Sequence, residues 1–124
     1  MNCTMNICEG NVSQRISNPT QEMIELEIDI LIPVNYNFIF LALEKPVQNC
    51  EYIQTTMKND CTAGIIYILE AGFAYSGRKR KHFRIFLESA DALKNIFRLF
   101  ASGTIPDVTA WEDVTKEIFP NQKP

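Results

Sequence analysis

The chain has 124 residues, 12 Lys and Arg against 15 Asp and Glu, and a formal net charge of −3. Hydrophobic residues make up 46% and charged residues 22%, which excludes collagen, a coiled coil and wholesale disorder. A chain of this size buries roughly two-thirds of its unfolded surface, so one domain without disulfide staples is expected over the full length.

Residues 1–21 are polar, lack a clear period and carry the Asn18-Pro19 breaker. They read as an arm or a short first strand. From Glu22 to Ile32 the residues Ile24, Leu26, Ile28 and Ile30 alternate with Glu25, Glu27 and Asp29. This period of two predicts a half-buried strand with one acidic, wet face. Pro33 to Tyr36 predicts a turn, and the apolar run from Asn37 to Leu43 a second strand closed by Pro46. Residues 47–63 are the least legible: Glu51 to Met57 suits an edge strand or a short helix, and Lys58-Asn59-Asp60 a loop.

Gly64 to Tyr75 is apolar on both faces up to Leu69, as a central strand is. Ser76-Gly77 reads as a turn into a strand from Arg80 to Glu88, with Phe83, Ile85 and Leu87 on one face. Ser89 is a helix N-cap, and Leu93, Ile96, Phe97 and Phe100 recur at helical spacing up to Gly103. Thr109 to Glu112 has the form of a capping box, which predicts a last helix to about Phe119, stopped by Pro120. Trp111, Val114 and Ile118 would share its inner face, and the tail 120–124 would fray. Strands first and helices last predict an α+β fold: an antiparallel meander of four to five strands with two C-terminal helices packed on one face.

The charge is unevenly spread. Residues 1–70 carry 3 basic and 9 acidic side chains, and residues 71–124 carry 9 basic and 6 acidic. Five of the basic residues are concentrated at Arg78, Lys79, Arg80, Lys81 and Arg84. The N-terminus has no basic start followed by an apolar run, and no stretch reaches the ~18 apolar residues of a membrane span. A cytoplasmic protein without membrane contact is therefore expected. Cys3, Cys8, Cys50 and Cys61 are spaced C-x4-C and C-x10-C, wider than paired zinc ligands favour, and read as reduced thiols. The chain lacks GxGxxG, P-loop, HExxH and GxSxG motifs, so no cofactor or metal is expected and no catalytic residue is assigned. His82, the one histidine, lacks an identifiable acid to orient it.

Three functional readings follow. The first is a non-catalytic protein-binding module, of the inhibitor or immunity type, acting through an acidic or mixed-charge surface with Glu25, Glu27 and Asp29 at its centre. The second is a nucleic-acid or phosphate binder using Arg78, Lys79, Arg80, Lys81 and Arg84 as the anion site; the net negative charge makes it the weaker reading. The third is a small-ligand domain or enzyme with a pocket between sheet and helices. The bland alternative is that the acidic and basic strands lie side by side and offset one another. An apolar strand such as Asn37 to Leu43 at a sheet edge would invite a second copy, so a homodimer is a further expectation.

Overall fold

The computed structural model describes residues 2–34, 36–75 and 79–122. The predicted turn residues Ser76 and Gly77 and the cation Arg78 lie outside the described residues, as does the end of the tail.

The α+β class is as expected, but the sheet is larger. Strands β1 (Cys3–Glu9), β2 (Val12–Ser17), β3 (Phe38–Val47), β4 (Cys50–Asp60), β5 (Gly64–Ala74), β6 (Arg80–Leu87) and β7 (Glu112–Asp113) form one antiparallel sheet in the order β2-β1-β3-β4-β5-β6-β7. The predicted arm is in fact a hairpin. In β1 the residues Cys3, Met5 and Ile7 alternate inward, a period of two masked by Cys and Met, which are weak strand formers beside β-branched residues. The connection after Glu9 is tight, with Gly10 at φ 59° and Glu9 paired to Val12. Strand β3 runs on through Pro46, which sits where the pairing with β4 shifts register between Ala42 and Val47. A missing backbone N–H is tolerated at such an irregularity. Residues 50–60, predicted as an edge strand or helix and a loop, are one central strand, β4.

The segment predicted as an acidic strand is helix α1 (Gln21–Ile30). Thr20 caps it, accepting a hydrogen bond from the Met23 N–H at 3.2 Å. Ile24 and Ile28 stand four residues apart and are buried, whereas Leu26 and Ile30 are exposed. The alternating isoleucines also satisfy an i, i+4 pair, and the interleaved Glu residues favour helix over strand. Helix α2 (Ala90–Ala101) matches expectation, capped by Ser89 and burying Leu93, Phe97 and Phe100. The last predicted helix shrinks to a single turn, α3 (Thr115–Ile118), preceded by β7. Its capping box is unused, because Asp107 accepts from both the N–H and the hydroxyl of Thr109.

The core lies between one face of the sheet and α1 with α2. It contains Met5, Leu41, Ile53, Leu69 and Ala71 from the strands and Ile24, Ile28, Phe97 and Phe100 from the helices. Trp111 packs against its margin. The opposite face carries no long helix among the described residues. It presents Phe40, Tyr52, Gln54, Glu70, Gly72, His82 and Arg84 in cross-strand register, and α3 covers its β6 side. No helix among the described residues is long and apolar enough to cross a membrane.

Candidate functional site

The acidic row does not form. On α1, Glu25 and Asp29 share the side facing α2, where Asp29 pairs with Lys94 at 2.6 Å. Glu27 points to another side, near Glu9, and burial followed by the Glu9 charge raises its pKa. A helix turns about 100° per residue, so positions two apart cannot share a face. Nor do the acidic and basic segments neutralise each other strand to strand. The basic strand finds other carboxylates.

Those carboxylates build a polar network on the open face. Glu70 lies opposite Arg84 in the β5–β6 ladder, and His82 lies opposite Gly72. Glu70 is only 8% exposed and His82 1%. The Glu70 carboxylate receives Nε2 of His82 at 2.6 Å, Nε of Arg84 at 2.8 Å and Nε2 of Gln54 at 3.1 Å. Burial alone would raise the Glu70 pKa. The hydrogen bonds from His82, Arg84 and Gln54, with the Arg84 charge, outweigh it and bring the carboxyl down to about 2. An ionised Glu70 requires a proton on Nε2 of His82, so in the neutral ring Nδ1 accepts from the Tyr52 hydroxyl at 3.1 Å. Arg84 also reaches Glu117 of α3 through both terminal nitrogens, at 3.2 and 3.1 Å.

Packing fixes this chain of groups. The Tyr52 ring stacks on Phe40 with centroids 4.7 Å apart and lies directly over Gly72, where a Cβ would overlap it. Phe119 closes over His82 with centroids 6.4 Å apart. His82 thus gains the orienting acid that sequence reading could not identify, but it is enclosed. A reacting molecule has no access to the imidazole, so the network acts as a brace that fixes β4, β5, β6 and α3 together.

Outside this brace lies an open cleft of about 910 Å³, formed by the end of the β5–β6 hairpin and the C-terminal segment. Tyr75, Val114 and Phe119 give it apolar surface, and Lys79, Lys81 and Lys116 give it charge. Among the described residues none of these lysines is in an ion pair. Arg80, also in its wall, pairs with Glu51. Of its carboxylates, Asp113 accepts from Thr115, and Lys81 lies near enough to contribute to the lowering of its pKa; Glu117 is held by Arg84. The start of β6 contributes Arg80 and Lys81 to one wall. There the Gln122 side-chain amide accepts from the Arg80 N–H and donates to the Arg80 carbonyl, at 2.6 and 2.7 Å. A neighbouring strand would offer the same pair of bonds.

The predicted anion site is therefore divided. Lys79, Arg80 and Lys81 line the cleft, Arg84 belongs to the brace, and Arg78 is outside the described residues. Sequence reading missed Lys116, Phe119 and Gln122 as cleft residues, because some thirty to forty positions separate the hairpin side from the C-terminal wall. The cysteines do not converge. Cys3 and Cys8 point to opposite faces of β1, and Cys50 and Cys61 bracket β4. All four are free thiols, with burial pushing Cys50 up to about 12. Among the described residues no group of three or more His, Cys, Asp and Glu side chains is placed to hold a metal ion. No family model, curated protein or solved structure matches the chain.

Proposed function

We propose that the protein is a non-catalytic protein-binding module of mixed charge, and that it receives an extended, acidic segment of a partner in the cleft beside β6. The observation that carries this reading is the placement of three lysines outside any described ion pair beside Arg80, whose outward backbone N–H and carbonyl are satisfied only by a side-chain amide. Charge would attract and orient the segment. The Arg80 backbone would accept it in place of Gln122, as added strands do, at the point where the edge pairing with Val114, Thr115 and β7 ends. Tyr75 and Phe119 supply apolar contact for alternate side chains.

A polyanionic nucleic acid fits less well, since it has no peptide N–H and carbonyl to replace the two bonds that Gln122 makes to Arg80. The test is fluorescence anisotropy with labelled acidic, neutral and basic peptides of about ten residues and with a single-stranded RNA. Acidic peptides should bind selectively and weaken with salt. Lys79→Glu with Lys81→Glu should lower that affinity by about tenfold or more. Equal binding of all peptides, or tighter binding of RNA, would sink the reading.

A further inference from the structure

We infer that the opposite end of the sheet is a self-association surface, on which a second copy of the chain pairs through β2 and packs α1 against its own α1. The Asn18 N–H donates to the Cys3 carbonyl at 2.8 Å, so the ladder between β1 and β2 makes its bonds at Met5·Ile16, Ile7·Gln14 and Glu9·Val12. The backbone groups of Ser13, Arg15 and Ser17 therefore point away from β1. Strand β2 is the terminal strand of the sheet, and among the described residues nothing bonds to that outer backbone. It also lacks the proline, lysine or covering helix that usually protects such an edge.

The exposed apolar side chains gather at the same end. Of eleven large hydrophobic residues that are exposed among the described residues, seven lie between Val12 and Tyr36. On α1, Ile24 and Ile28 face the sheet, and Gln21, Glu25 and Asp29 face α2. Met23, Leu26 and Ile30 are left turned away from both, with Leu26 58% and Ile30 53% exposed. Ile30 borders the end of β1, beside Ile7, Cys8 and Glu9. The Gly10 N–H donates to Asn37 at 3.1 Å, which fixes the loop carrying exposed Ile32 and Val34 next to the β1–β2 turn. Exposed apolar side chains gathered on one side of a small protein point to an interaction surface.

The residues of β2 suit a two-fold partner. Directly opposed residues in an antiparallel pair share a face, so the two-fold must pass through a residue. Centred on Gln14, Val12 lies against Ile16 of the second copy, Gln14 meets Gln14, and Arg15 lies opposite Ser13. Val12, Gln14 and Ile16 are on the face that carries α1. The outward backbone groups at Ser13 and Arg15 then form about four bonds across the axis. Centring on Arg15 instead would oppose two like charges, which is destabilising. One short strand and one helix face are less than the roughly 20–30 residues a side of a standard interface, so dissociation in the micromolar range is expected. The expected homodimer edge, Asn37 to Leu43, is not available, because β3 lies between β1 and β4.

Sedimentation equilibrium across roughly 1–300 μM reads this directly. The weight-average mass should rise toward twice the monomer. Arg15→Pro removes an outward N–H without touching the β1 ladder, and should hold the chain monomeric. Leu26→Glu with Ile30→Glu changes only exposed side chains and should do the same, which keeps the test sound if the proline variant does not fold. Gln14→Cys in a Cys61→Ser background should yield a covalent dimer under mild oxidation. A monomer at every concentration overturns the proposal and leaves the edge to a strand of a different protein. A dimer that survives the helix substitutions, or that gives no cross-link in the Gln14→Cys variant, overturns it as well.

Discussion

Replacing Glu70 by Gln removes the charge that His82 and Arg84 both address. Breaking one partner of a largely buried pair leaves the others uncompensated, and a loss of about 2–4 kcal/mol in urea unfolding at pH 7 is expected. The same carboxylate sets an acid limit. Its pKa is held at about 2 against an ordinary 4.5. Its contribution is therefore complete above pH 4.5 and is lost as pH falls from there toward 2, about 3 kcal/mol in all. The wild type should lose that stability between those values, while the Gln variant should show a flatter profile. Gly72 is constrained by close approach. Gly72→Ala should cost about 1–3 kcal/mol because its Cβ meets the Tyr52 ring. The cost should fall sharply in a Tyr52→Ala background, which a double-mutant cycle measures. Thiol labelling of the native protein should begin at exposed Cys61 and reach buried Cys3 and Cys50 last. These contacts were not legible in the chain. Glu70 stood out as a lone acid in an apolar strand, but a two-residue turn at Ser76-Gly77 would have set it opposite Phe83. The actual register puts it opposite Arg84.

At the scale of the element, α1 separates two readings of one stretch of sequence. A strand would bury Ile24, Leu26, Ile28 and Ile30 together. The helix buries only Ile24 and Ile28. Ile28→Ala should therefore cost about 2–4 kcal/mol and Leu26→Ala less than about 0.5 kcal/mol, read as a shift in the urea midpoint. Thr20→Ala should cost about 1 kcal/mol through loss of the N-cap. Similar losses at both apolar positions would favour the strand. The α2 helix and the hairpin of β5 with β6 were legible because local signals agreed: a Ser cap, helical spacing and a C-terminal glycine in one, an unbroken apolar run followed by an alternating strand in the other. The hairpin of β1 with β2 was not, since β2 is exposed almost throughout and has only Val12 and Ile16, with Gln14 between them, to mark a face.

At the scale of the molecule, the two ends of the sheet differ in chemistry. The β2 end is apolar and open at its backbone; the end with β6 and β7 is of mixed charge with exposed lysines, and the β6 edge is covered by β7 and, at Arg80, by Gln122. Binding at the cleft should weaken with rising salt, as long-range charge is screened over about 10 Å at 0.1 M. Association through β2 and α1 should respond little, because its contacts are apolar and backbone. Measuring both at low and high salt distinguishes the two surfaces in one preparation.

Local patterns in the chain were enough to establish the α+β class, the strands of the central hairpin, the capped α2 helix and the uneven spread of charge. The strands and the helix depend on residues within about fifteen positions of one another, where periodicity, caps and turns act. The folded chain alone settles which carboxylates face the basic strand, how Lys116 and Phe119 come to line a cleft with Lys79 and Lys81, and which strand has an open edge. Those facts depend on register and strand order. A shift of one residue turns every side chain of a strand to the other face, and local propensity is blind to that choice.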